Sequence, residues 1–205
     1  MSTENKKYET IAELISDYTD LTKAACVKTM PSTVDDSGNN SISFQETDSV
    51  VVKGRPAEEH IVSVFDVAAY ILRIKKSCTT MKLHKLLYYC QAWSLVWDEK
   101  PLFKQQIEAW ANGPVIRELF NFHKGMYIIT YMDMTLGDES NLSANQKSNI
   151  DEVLGFYGDK SAQWLIDQTH LEAPWLQARK GLEQTDRGCR VIDLDSIHSY
   201  YSSLK

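Results

Sequence analysis

The chain's most chemically able side chains crowd between residues 73 and 90. Arg73, Lys75, Lys76, Lys82 and Lys85 form a basic strip that runs into His84, Tyr88, Tyr89 and two of the four cysteines, Cys78 and Cys90. A basic strip with aromatic residues is one footprint of nucleic-acid contact. The formal net charge of -6 argues against it, because phosphate binding needs a surplus of Lys and Arg. The strip reads better as a solvated or partner-facing surface, with Lys82, Lys85, Tyr88 and Tyr89 as its contact residues. Cys78, His84 and Cys90 hold metal-ligating atoms, but steps of six residues round a helix leave them pointing apart, so buried thiols are the expectation and no metal. His84 and Tyr88, four residues apart, can stack or hydrogen-bond on one face, and an acid/base pair is the alternative. The remaining histidines, His60, His123, His170 and His198, have no second histidine or glutamate at the spacing that builds a site on one helical face. Neither a G-x-x-x-x-G-K-[ST] loop nor a G-x-G-x-x-G turn is present, which weakens any nucleotide-binding reading. Asp151-Glu152 fits a first helical turn, where negative charge favours the helix dipole. These residues give no catalytic set and imply no cofactor.

The elements that position these residues are mostly helices. Ser63 followed by Asp66 predicts a helix start, with Val64, Val67, Ala68, Ile71 and Leu72 as its apolar face up to Lys76. Thr79 or Thr80 caps a longer helix with Leu83, Leu86, Leu87, Cys90, Ser94 and Trp97 on one face and Lys82, Lys85 and Tyr89 on another. This is the expected central helix. Gln106 to Trp110 reads as a short extended link. Asn112-Gly113-Pro114 then places Pro at a first helical position, with Ile116, Leu119 and Phe120 turned inward and Gly125 past the end. Ser143-Ala-Asn-Gln146 is a capping box ahead of Ile150, Val153, Leu154 and Tyr157, with Gly158 as the stop. Asp159 or Ser161 starts a shorter helix through Leu165, which Thr169 to Pro174 interrupts, and Asp193 caps a last one carrying Ile197, Tyr200, Tyr201 and Leu204. Most of the five tryptophans are expected in the core.

The first third differs. Residues 1–60 hold six Lys/Arg against eleven Asp/Glu, so nearly all the surplus acidity lies there. Ile11, Leu14, Ile15, Tyr18 and Leu21 mark an amphipathic helix, residues 31–40 a polar loop, and Ile42, Phe44, Val50 and Val52 one or two strands. The predicted architecture is therefore mainly α: an acidic α+β extension over 1–60, followed by a compact multi-helix domain over 61–205. The chain has 205 residues, enough to bury a core without disulfides or metals. No apolar run reaches the ~18 residues of a membrane span, and no signal-peptide pattern opens the chain, so a reducing cytoplasm is the expected location.

Four segments taken in order resemble the Panacea antitoxin-domain family: Thr80 to Trp93, with its Lys-Leu-x-Lys-Leu-x-Tyr core; Ala109 to Ile116; Leu165 to Trp175, with Thr-His-x-x-x-Pro-Trp; and Ile197 to Tyr201. The likeness extends over about residues 61–203 and leaves out the first 60. It implies a mostly helical domain serving as the antitoxin of two-gene toxin-antitoxin modules in bacteria and phages, with unrelated toxins neutralised by direct contact. Translation inhibitors related to alarmone synthetases that modify tRNA are among those toxins, and some relatives deliver the toxin to a protease instead. The resemblance carries Lys82, Leu83, Lys85, Leu86 and Tyr88 onto the helical motif, Asn112, Gly113 and Pro114 onto the turn, and His170, Pro174 and Trp175 onto the late motif, none of them with a catalytic role. Leu83, Leu86, Asn112, Gly113, Pro114, Pro174 and Trp175 are expected to be structural; Lys82, Lys85, Tyr88, Tyr89 and His170 to touch the toxin. The extension is the expected place where one toxin is told from another. A proteolysis adaptor and a small hydrolase using His84 or His170 are the competing readings.

Overall fold

The computed structural model describes residues 62–204. The predictions for residues 1–60 lie outside the described residues. Within them the chain runs α1 (Val64–Lys75), β1 (Ser77–Thr79), α2 (Thr80–Asp98), β2 (Ile107–Trp110), β3 (Gly113–Ile116), α3 (Arg117–Phe122), β4 (Ile128–Thr130), α4 (Ala144–Tyr157), α5 (Ala162–Thr169), α6 (Ala173–Ala178) and α7 (Leu194–Ser202). Two short 3-10 turns, Tyr131–Asp133 and Glu139–Asn141, follow β4. The fold is mainly α, with two antiparallel strand pairs, β1 with β4 and β2 with β3.

The capping residues start helices where their chemistry requires. Ser63 and Asp66 form a reciprocal box at α1, and the second Asp66 oxygen accepts from the Asp138 amide at 2.8 Å, tying the 3-10 region to the helix start. Ser143 and Gln146 do the same for α4, Ser161 caps α5 and Asp193 caps α7. Each cap satisfies amides that a helix cannot pair internally.

The central helix departs from its predicted two-faced form. In α2 every residue from Leu83 to Val96 is buried, because α4, α5, α7 and β3 surround it. Its polar residues therefore need partners inside the protein. Gln91 shows how one is found: its carbonyl oxygen accepts from the Leu102 and Phe103 amides at 2.9 and 3.1 Å, and its amide donates to the Phe103 carbonyl at 3.2 Å. One side chain thus holds the loop that returns from α2 to β2.

Pro114 also departs from its predicted place. It lies in β3 and does not open a helix; β2 and β3 form a hairpin in which Ala109 pairs with Pro114 and Trp110 with Gly113. A proline is tolerated there because the Ala109–Pro114 pair is a non-hydrogen-bonded one, so the missing N–H faces away from β2. The Ala109 amide likewise points outward, to the Arg190 carbonyl at 2.8 Å, so residues 190–192 flank the other side of β2. The helix that follows is only the single short α3, capped without a side chain at Ile116.

Replacing Gln91 with Leu keeps the volume but orphans two buried amides. The expected loss is roughly 2–5 kcal/mol in urea unfolding, well beyond an apolar swap of similar size; a loss under about 1 kcal/mol would show that the loop is held by something else.

Candidate functional site

Three separated stretches of sequence meet beside α2. Lys85, fully buried, donates from Nζ to the Pro114 carbonyl at 2.9 Å. Gly113, at φ +94°, lies directly over the same side chain: a Cβ there would be 2.7 Å from Lys85 Cε and 2.8 Å from Thr169 Oγ1. Both the backbone conformation and the close approach call for glycine. From the other side, Trp175 Nε1 donates to the Trp110 carbonyl at 3.0 Å, and Arg179 Nη1 to the Ala109 carbonyl at 3.1 Å. The His170 ring stacks on Trp175, with centroids 4.2 Å apart. The hairpin is therefore gripped by α2 on one side and by α6 on the other.

A step further along α2, a carboxylate is enclosed by tyrosines. Glu172 Oε1 accepts from Tyr89 Oη at 3.0 Å, and its Oε2 from Tyr201 Oη at 2.7 Å. Tyr89 stacks on Tyr157 at 3.9 Å, and Trp93 Nε1 reaches Tyr157 Oη at 3.3 Å. Tyr88 Oη lies in the same enclosure without a hydrogen bond of good geometry, and His170 Nε2 is likewise buried and unpaired. Burial pushes Glu172 up to about 7 despite the tyrosine donors, which favour its ionised form. Burial also brings Lys85 down to about 7, and it raises the four tyrosines Tyr88, Tyr89, Tyr157 and Tyr201 well above their usual range.

A third pair lies at the start of α2. His84 and His123 face each other with Nε2 atoms 2.9 Å apart, while His84 Nδ1 accepts the Ile116 amide at 3.2 Å. That acceptance puts the His84 proton on Nε2, so His84 donates to His123. Burial, then Lys85 and His123, holds His84 well below its usual value, which keeps the neutral form that this arrangement needs.

The geometry changes the roles expected of the motif residues. Lys85, Tyr88 and Tyr89, expected on a docking surface, are 0% exposed, because α2 is wrapped on all sides. Lys85 and Tyr89 spend their polar groups on holding elements together. His170 is partly exposed but stacked on Trp175, and of the contact set only Lys82 borders solvent directly on α2. His84 meets His123 and not Tyr88, Cys90 is buried, and Cys78 is half-buried on β1. Lys85 and Glu172 titrate near neutrality as catalytic groups often do, yet they face protein atoms and not an open cleft. Glu172, Arg179, His123 and Tyr201 were missed as a set by sequence reasoning. Only Tyr201 carried a signal, as part of the fourth motif.

Lys85, Gly113, Pro114, Thr169 and Trp175 all lie within residues 83–176, which match the model of the family described as antitoxin SocA-like, Panacea domain. Over this stretch, a little under half of its length, the chain is similar to the Panacea domain. No curated protein and no solved structure matches it. The motif residues Lys85, Gly113, Pro114 and Trp175 come together in space from three parts of the chain, and Tyr201 of α7, beyond the matched stretch, closes the tyrosine enclosure.

Two outcomes follow. Glu172 has a raised value in the folded protein, so its stabilising effect is complete below about 4.5, its ordinary value, and is lost as pH rises towards about 7. Unfolding free energy should therefore fall by roughly 3 kcal/mol across that interval relative to Glu172→Gln; parallel curves for the two proteins would mean that the carboxylate is not held neutral. Gly113→Ala should lower stability by more than the ~1 kcal/mol of the backbone conformation alone, because its methyl group displaces Lys85. A thermal melt of the variant beside Lys85→Met separates the two effects.

Proposed function

We propose that this protein is an antitoxin that neutralises one toxin by direct stoichiometric binding, covering the active site of a translation-inhibiting, tRNA-modifying enzyme related to alarmone synthetases. The observation that carries the antitoxin reading is the match of residues 83–176 to an antitoxin domain. The shape of the polar cluster supports binding over chemistry: groups able to carry protons are enclosed and tied to backbone carbonyls and tyrosines. A small hydrolase using His84 fits poorly, since both of its ring nitrogens are engaged within the protein.

The choice of toxin class rests on charge. Residues 1–60 carry the surplus acidity, six Lys/Arg against eleven Asp/Glu. An enzyme that acts on tRNA presents a basic face to phosphate, and acidic residues opposite it speed association and add specificity. The domain from 61 onward supplies the stable body, and the extension reads the particular toxin. Delivery of the bound toxin to a protease is the alternative use of the same contact.

Co-expression with the product of the adjacent gene tests this. Growth should be restored, and the toxin's half-life should stay unchanged while it is inhibited. Faster decay of the toxin only when this protein is present would replace blocking with proteolytic delivery, and failure to restore growth would remove the antitoxin reading for that pair. Deleting residues 1–56 should leave the domain folded by circular dichroism and weaken protection; full protection by the shortened protein would take the extension out of the mechanism.

A further inference from the structure

Burial is nearly complete around α2, but one small sheet is left with an apolar, open edge. Of β1 and β4, Cys78 pairs with Ile129 and Thr79 with Ile128, and the Thr80 amide donates to the Tyr127 carbonyl at 3.0 Å. That bond makes Thr80–Tyr127 and Cys78–Ile129 the hydrogen-bonded pairs of the ladder. The N–H and C=O of Ile128 therefore point away from β1, and neither has a partner among the described residues. Thr130, the next outward-facing residue, has its amide covered by Asp133 Oδ2 at 2.8 Å. The edge is open at Ile128 and closed one step later.

The side chains beside this edge form a run of exposed apolar residues. Tyr127 is 77% exposed, Met132 82% and Ile128 55%, with Met126 and Tyr131 next to them. Exposed apolar residues clustered in one short stretch mark an interaction site more often than a solvated surface. Of the charges beside the patch in sequence, Asp133 is turned onto the Thr130 amide and hydroxyl, and the others are lysines. Lys76 precedes β1, Lys82 follows it and Lys124 precedes β4, and none of the three has an ion pair among the described residues, whereas Lys75 is paired with Asp159 at 2.7 Å. An unpaired edge, apolar neighbours and a basic rim together fit an extended segment with apolar residues at alternate positions and acidic residues between them.

We propose that the β4 edge at Ile128 is the toxin-docking face of the domain, and that an extended, acidic and apolar segment of the toxin adds to it as a further strand. This rests on the antitoxin reading. It keeps Lys82 as a contact residue and replaces the buried Lys85, Tyr88 and Tyr89 with Lys76, Lys124 and the residues round Ile128. A nucleic acid fits the lysines but leaves Tyr127, Ile128 and Met132 uncovered.

The test uses the full chain and the product of the adjacent gene. Ile128→Pro removes only an outward N–H that β1 does not use, and Lys76→Glu with Lys82→Glu and Lys124→Glu reverses the rim. Each should weaken toxin binding about tenfold or more and reduce growth protection, with thermal unfolding as in the wild type. If Ile128→Pro unfolds early, the lysine variant alone decides. Hydrogen exchange should show the Ile128 amide exchanging fast in the free protein and slowing only in the toxin complex. Wild-type binding by both variants overturns the docking face while leaving the antitoxin reading intact, whereas failure of the wild type to protect against the toxin removes both. Slow exchange in the toxin-free protein overturns it as well. In that case relief by Phe44→Asp with Val50→Asp identifies this chain's own extension as the occupant, dependence on protein concentration a second copy, and dependence on added tRNA a nucleic acid.

Discussion

Everything in the described domain depends on the complete enclosure of α2. Fourteen consecutive buried positions, Leu83 to Val96, include an imidazole, an ammonium group, an amide and three aromatic side chains with polar atoms. An apolar helix in that place would need only shape-matched neighbours. This one needs each neighbour to bring a particular acceptor or donor: the Pro114 carbonyl for Lys85, Glu172 for Tyr89, the Leu102 and Phe103 amides for Gln91, and His123 for His84. Leaving any of these groups buried without its partner costs more than the hydrogen bond itself returns. The helix therefore specifies the register of the hairpin, the loop before it and the α5–α6 corner at once.

The same constraint explains why the antitoxin motifs lie together while presenting little to solvent. Lys85, Gly113 and Trp175 are distant in sequence and adjacent in space, and each is irreplaceable for a local reason: an ammonium group that reaches a strand carbonyl, a backbone at positive φ with no room for a Cβ, and an indole that both donates to Trp110 and stacks on His170. A motif of this kind preserves a scaffold. Partner choice is proposed to lie elsewhere, at the β4 edge and in the acidic first 60 residues.

Lys85 and Glu172 illustrate how burial can imitate a catalytic signature. Both are brought close to neutrality, one from above and the other from below, and desolvation is the main cause in each. A perturbed group indicates catalysis when it also faces a cleft and a reacting partner. Here the lysine ends on a main-chain carbonyl and the carboxylate on tyrosine hydroxyls, so the perturbation records the energetic cost of building the core from polar parts.

Much of the helical architecture was legible in the residues alone, because caps and apolar spacing act over three or four positions. The Ser63–Asp66 and Ser143–Gln146 boxes, the caps at Ser161 and Asp193, and the long central helix are all local matters. The site was less legible. On a helical wheel Lys82, Lys85 and Tyr89 make a plausible exposed face, and Asn112-Gly113-Pro114 makes a plausible helix start. Both readings changed because partners distant in sequence decide them: α4, α5 and α7 close over the lysine face, and β2 with residues 190–192 recruits Pro114 into a strand. By itself the sequence determined where helices begin, how the charge divides between the first 60 residues and the rest, and which motif family the domain resembles. Tertiary structure alone decided which polar residues are enclosed and which edge stays open, since burial depends on all the elements that converge on a residue and spacing reports only its own.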